Sequence, residues 1–190
     1  MANWAWTNYV IEGPEEDLKK IEQALLHHDK TSDASDDWEG DVLKALDSTW
    51  DGRYSDGTIQ TMRGFIASTP ELDGNTLCFD AEEAWGITDF DDALMEIFPN
   101  IKVYWYCEEE GTGFFETNDK ESKYFLDNYH VDACINNCYA SDYFIEEDRV
   151  YEWIKNLTNG KVCTPEDVED FNTEKEDTDD YINVYKIERV

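Results

Sequence analysis

His130, Cys134 and Cys138 stand at i, i+4 and i+8. On a helix these positions project from nearly one face. With Cys163 they supply the four nitrogen and sulfur donors of a tetrahedral zinc site. Against that reading, the chain has no Cys-x-x-Cys pair, and reduced thiols are ordinary core residues. Ordinary packing is the expected role, with the metal site as the alternative. Cys107 and His130 also offer the ingredients of nucleophilic catalysis, whose partners meet in space rather than in sequence. No Gly-x-Ser-x-Gly elbow is present. His27 and His28 close an expected helix, where a cation suits the dipole.

Carboxylates dominate the remaining chemistry. The 190 residues carry 46 Asp and Glu against 15 Lys and Arg, a formal charge of −31. Such a surface repels nucleic acid backbone and anionic lipid, so neither is an expected partner. Carboxylate pairs occur too often here to single out an acid–base couple. The acids gather in three runs: Asp33, Asp36, Asp37, Glu39 and Asp41; Glu108, Glu109 and Glu110; and the stretch from Glu166 through Asp177 and Asp179 to Asp180. Each run is a candidate for an acidic, partner-binding face. The first run lacks the spacing of an EF-hand calcium loop. Gly111-Thr112-Gly113 follows three glutamates and precedes no Lys-Ser/Thr. It reads as a turn needing positive φ rather than a phosphate loop. No cofactor motif is present, and none is expected.

Alternation and helical spacing indicate what positions these groups. Trp4 to Glu12 predicts a strand, and Gly13-Pro14 ends it and opens a helix. Leu18, Ile21, Leu25 and Leu26 repeat at helical spacing. An acidic insertion follows near residues 29–57, with a short helical turn over Val42 to Leu46. Thr58 to Ala67 and Thr76 to Trp85 predict a hairpin. Phe90, Leu94, Ile97 and Phe98 predict an amphipathic helix, with Thr88 or Asp89 as its cap. Ile101, Val103, Trp105 and Cys107 predict one face of a strand. Trp4, Trp6, Trp85, Trp105, Tyr104 and Tyr106 fall mainly in these strands, as core or sheet face.

The order strand, helix, strand, strand, helix, strand is the ferredoxin-like β-α-β-β-α-β arrangement, an α+β antiparallel sheet with helices on one face. A further hairpin follows, with Phe114-Phe115 in one strand and Lys123 to Asn128 returning. The first 128 residues then form the core. Residues 129–190 form a helix and strand extension packed on it. In that extension Val150, Trp153, Ile154 and Leu157 predict a helix ended by Asn159-Gly160. Thr164-Pro165 starts another helix, and Tyr181 to Val190 closes as a strand. The opening Met1-Ala2-Asn3-Trp4 has no basic or apolar signal region, and no stretch reaches the roughly 20 apolar residues of a membrane helix. Five cysteines without a disulfide framework predict a cytoplasmic protein with reduced thiols.

Three places resemble the YubB ferredoxin-like family, largely uncharacterised proteins of plasmids, phages and bacterial genomes. They are Asn3-Trp4 in the opening; Phe79-Asp80 through Ala84-Trp85-Gly86, with the helix ending Ile97-Phe98-Pro99; and Glu108-Glu109-Glu110-Gly111-Thr112-Gly113-Phe114. Ala2 replaces the family's usual proline, Gly86-Ile87-Thr88 replaces a proline pair, and Trp50-Asp51-Gly52 only loosely echoes a Trp-Gly motif. The resemblance spans residues 1–128 with a gap over the insertion. It implies the fold, the mobile-element company and no established activity.

Three functions fit these residues; the first, binding without a catalytic residue, is the expected one, and the others are its alternatives. The first is a non-enzymatic acidic protein that engages a basic, nucleic-acid-binding protein, in its sharpest form as a nucleic-acid mimic or inhibitor of a defence nuclease. The second is a small enzyme or metal-binding protein using the Cys and His residues of 107–138. In the third, the charge serves solubility alone. Whichever holds, a charge of −31 repels itself in the compact state, and salt screens it. The melting temperature is therefore expected to rise between about 10 mM and about 500 mM NaCl. A flat or falling Tm by circular dichroism would show that self-repulsion does not limit stability.

Overall fold

The computed structural model describes residues 3–28 and 38–190. It is a mixed α+β protein that divides into two compact units, Met1–Asp119 and Lys120–Val190. The second unit begins ahead of residue 129, where the sequence reading placed its boundary. Residues 1–119 hold 7 Lys and Arg against 28 Asp and Glu, and residues 120–190 hold 8 against 18. Both units therefore carry a net negative charge.

In the first unit the chain runs β1 (Trp4–Glu12), α1 (Glu15–His28), α2 (Glu39–Leu46), β2 (Gly64–Ile66), β3 (Glu71–Asp73), β4 (Thr76–Ala84), α3 (Phe90–Ile97), β5 (Lys102–Glu109) and β6 (Phe114–Thr117). The strands lie in the order β6-β5-β1-β4-β2, with β3 also on β4, and every pair is antiparallel. One face of β1 presents Ala5, Thr7, Tyr9 and Ile11, all buried. It meets Leu77, Phe79 and Ala81 of β4 and Val103, Trp105 and Cys107 of β5. Leu18, Ile21 and Leu25 of α1, Val42 and Leu43 of α2, and Phe90 and Leu94 of α3 close on that same face. The 3.6-residue period of the helices and the two-residue period of the strands produce one shared core. Tyr9, Phe79 and Phe90 mark its centre, with Tyr9 stacked on Phe79 at 5.0 Å and Phe90 edge-on to Phe79 at 6.2 Å.

Two expected strands differ. Only Gly64–Ile66 of the 58–67 stretch is a strand. The residues ahead of it take side-chain partners instead of a ladder: Gln60 Oε1 accepts from the Trp50 indole at 2.7 Å, and the Thr61 N–H donates to Asp89 at 2.6 Å. The later hairpin forms between β5 and β6, with Glu109 opposite Phe114. Residues 123–128 contain no strand. The turn lies at Glu110–Gly113, where Gly113 takes φ +70°.

The second unit runs β7 (Tyr129–Ile135), β8 (Cys138–Phe144), α4 (Glu147–Leu157), α5 (Pro165–Glu174) and β9 (Tyr181–Lys186). Its sheet has the order β8-β7-β9, antiparallel throughout. Val131, Ala133, Val150, Ile154, Val162, Val168 and Ile182 form its core. Asn159 and Gly160 take φ +55° and +82° and end α4, and the Gly160 N–H donates back to the Lys155 carbonyl at 2.7 Å. Thr164 caps α5 by accepting from the Asp167 N–H. No helix among the described residues is long and apolar enough to cross a membrane.

Phe90 is fully buried. Phe90→Ala is expected to cost about 3–5 kcal/mol in urea unfolding. Ile59→Ala, at a residue 66% exposed, should stay within about 0.5 kcal/mol. Equal effects at the two sites would contradict this core.

Candidate functional site

The sequence reading placed Glu39 on an acidic surface. The structure corrects this: Glu39 is 0% exposed. Helix α2 begins three residues earlier than the apolar spacing indicates and carries Glu39 into the core. There it meets Glu83, also 0% exposed, on the inner face of β4. Glu83 accepts hydrogen bonds from the Thr7 hydroxyl, from Tyr9 Oη at 2.9 Å, and from the Thr88 N–H and hydroxyl at 3.1 and 2.8 Å. Thr88 Oγ1 also lies 2.9 Å from Glu39 Oε2. A hydroxyl has one proton, so it donates to one carboxyl and accepts from the other. Burial, and then the charge of Glu83, push the Glu39 carboxyl well above the usual range, so Glu39 keeps a proton to give. Gly64 makes room for the pair, since a Cβ there would lie 2.7 Å from Glu39 Cδ and 2.8 Å from Glu83 Cγ.

The other expected acids fall into distinct settings. Asp33, Asp36 and Asp37 lie outside the described residues. Asp41 is half-buried in the first turn of α2. Glu108 accepts from Tyr106 Oη at 2.7 Å, and Glu109 from the Gly111 N–H at 3.1 Å. Glu110, Asp177 and Asp179 are exposed. Asp180 accepts from the Asn136 N–H at 2.7 Å and pairs with Lys175 at 3.3 Å. Asp180 is therefore committed to its own unit.

The helical face of His130, Cys134 and Cys138 does not form. The segment is the β7–β8 hairpin, because Asn136 and Asn137 take φ +52° and +62°, the turn geometry that Asn tolerates. In that register Cys134 lies opposite Tyr139, while Cys138 lies opposite Ile135 on the other face. His130 is buried between Tyr143 and Tyr185, with ring centroids at 4.5 and 6.1 Å. Cys163 precedes α5, and its Sγ lies 3.6 Å from the Gly160 carbonyl oxygen. No group of three or more His, Cys, Asp or Glu side chains suited to a metal occurs among the described residues. Burial pushes the Cys107 thiol up to about 12, which removes the thiolate a nucleophile needs.

Three separate stretches of sequence do converge. Register pairs Trp4 with Ala84, so Asn3 comes beside Trp85, whose N–H donates to the Asn3 carbonyl at 2.8 Å. Trp6 pairs with both Glu82 and Glu108, which brings the end of β5 to the other side of β1. Trp85 takes φ +66°, a conformation rare for a bulky residue, and is 62% exposed. Gly86 follows at φ +105°, with room for a Cβ only 3.4 Å from the Phe114 ring. Gly111 likewise leaves space: a Cβ there would lie 2.8 Å from Glu109 Oε1. The result is a hollow of about 110 Å³ lined by Asn3, Trp85, Gly86, Glu109, Thr112 and Phe114. Glu109 Oε2 is buried without a hydrogen-bond partner among the described residues. The Arg63 guanidinium lies 4.8 Å from the Trp85 ring. Trp4 and Trp38, 43% and 39% exposed, pack edge-on to Phe65.

A wider hollow of about 510 Å³ lies between Asp47–Ser55 and α3. Several of its polar groups are engaged: Asp47 accepts from the Thr49 N–H and hydroxyl, and Trp50 donates to Gln60. The smaller hollow combines aromatic walls with the Glu109 carboxylate, an arrangement suited to a cation. Comparison of the chain with protein-family models, with curated proteins and with solved structures finds no match.

The buried pair has a pH signature. A carboxyl raised in the folded state contributes stability that is complete below its unfolded pKa, about 4.3, and is lost as pH rises through the folded value. Glu39→Gln keeps a donor and cannot ionise. Its stability relative to wild type is expected to rise from pH 5 to pH 8, by at most about 1.4 kcal/mol per pH unit. A difference flat across urea titrations at those pH values would mean that Glu39 does not hold the proton.

Proposed function

We propose that this is a non-enzymatic interaction protein that binds a basic, nucleic-acid-binding protein. The single observation carrying this reading is the hollow at the end of β1, which aromatic side chains and the Glu109 carboxylate line together. The surrounding charge favours the same partner, since residues 1–119 hold four acids for each basic residue. An acidic field speeds encounter with a cationic protein and repels nucleic acid itself. The buried, protonated setting of Cys107 and the dispersal of His130, Cys134, Cys138 and Cys163 favour binding over catalysis. Five unpaired thiols suit a reducing, cytoplasmic setting.

The first unit is, in this proposal, a ferredoxin-like domain of YubB type. The neighbours β5-β1-β4-β2, side by side and antiparallel, support the assignment, with α2, β3 and β6 as additions to the β-α-β-β-α-β order. So does the meeting of Asn3, Trp85, Glu109 and Phe114, which come from the three stretches that carry the resemblance.

An affinity pull-down from lysate of the source cell, at low and at high salt, tests the function. The expected result is a basic protein retained at low salt, released at high salt and displaced by duplex DNA. Displacement by DNA identifies a partner whose nucleic-acid channel the acids occupy. No retained protein at any salt would sink the reading and leave the charge as a matter of solubility.

A further inference from the structure

We propose that the hollow lined by Asn3, Trp85, Glu109 and Phe114 receives an arginine side chain from the basic partner. This rests on the reading above and names the group recognised. The walls are an indole and a phenyl ring, whose faces attract a cation. The floor offers Glu109, whose Oε1 is fixed by the Gly111 N–H at 3.1 Å. That bond orients the carboxylate at the edge of the hollow. A guanidinium presents several N–H donors in one plane, so it can bond a carboxylate edge while it stacks on a ring.

The chain contains an example of half of this arrangement. Arg63 lays its guanidinium on the Trp85 indole at 4.8 Å, yet it does not line the hollow. The volume of about 110 Å³ is several times the roughly 10–15 Å³ that one water requires. It has room for a guanidinium and its adjoining methylenes. A neutral apolar group would leave the Glu109 carboxylate without an opposite charge, and an anion would be repelled by it. The conformation of Trp85 belongs to the same device. At φ +66° the indole is held at the rim and left 62% exposed, where an ordinary strand geometry would carry the chain onward.

Fluorescence anisotropy with two labelled peptides of equal length and charge, one rich in arginine and one rich in lysine, tests the proposal on the full chain. The wild type is expected to bind the arginine peptide more tightly than the lysine peptide. Glu109→Gln, which keeps the acceptor for Gly111, is expected to lose about tenfold for the arginine peptide and to erase the preference. Trp85→Gly, which keeps the backbone free to take positive φ, should do the same. Asp177→Asn with Asp179→Asn removes exposed charge elsewhere and should preserve the preference. Wild-type binding that is unchanged by Glu109→Gln and Trp85→Gly would overturn the arginine site while leaving a basic partner in place. No binding of either peptide at low salt would overturn both.

Discussion

Two carboxyl groups buried against each other are the constraint around which the first unit is organised. Glu83 is fixed by its place in β4, facing inward in the same alternation as Leu77, Phe79 and Ala81. Once there, it requires donors, and the structure surrounds it with Thr7 and Tyr9 of β1 and Thr88 ahead of α3. Glu39 completes the set from α2. Its proton turns a like-charge contact into a hydrogen-bonded one, because two carboxyls in one dry site do not both ionise. The pair therefore ties α2 and the approach to α3 onto the two central strands. In a protein so rich in negative charge, burial and the charge of Glu83 push the Glu39 carboxyl upward, which favours its neutral form at the centre of the fold.

The same arrangement explains two glycines that look unremarkable in the sequence. Gly64 leaves the space that the Glu39 and Glu83 side chains fill, and Gly111 leaves the space into which Glu109 turns. In both places the missing side chain admits a carboxyl. Outside the core, the acids serve different ends. Some satisfy local donors, as Asp47, Asp167 and Asp180 do. Others, such as Glu110, Asp177 and Asp179, remain exposed and contribute to the field around the molecule.

Much of the framework was legible because local patterns and tertiary packing agree. The alternation from Ile101 to Cys107 becomes the inner face of β5, and the spacing of Phe90 and Leu94 becomes the buried stripe of α3. Asn159-Gly160 and Thr164-Pro165 end and begin helices through their own backbone chemistry. The β7–β8 hairpin was missed because His130, Cys134 and Cys138 also satisfy a helical period, and periodicity alone does not separate the two. Asn136-Asn137, suited to positive φ, was the available signal. Glu39 misled for another reason: in an acidic segment, nothing local distinguishes a buried glutamate from a solvated one. The hollow was half legible. Its residues stand in three stretches of the sequence, but their meeting depends on the register of β1 against β4 and β5, which is a long-range property.

That register also sets the order in which the chain becomes structured as it is made. Strand β1 emerges first, yet it lies at the middle of its sheet, with Trp4 opposite Ala84 and Trp6 opposite Glu108. Synthesis at roughly 5–20 residues per second leaves it without its second neighbour for about 5–20 s. Until β4 follows, a strand carrying two tryptophans has no partner strand at all. The burden of escaping misassociation then falls on the nascent chain's negative charge and on the chaperones that meet it at the ribosome, rather than on any feature of the finished fold.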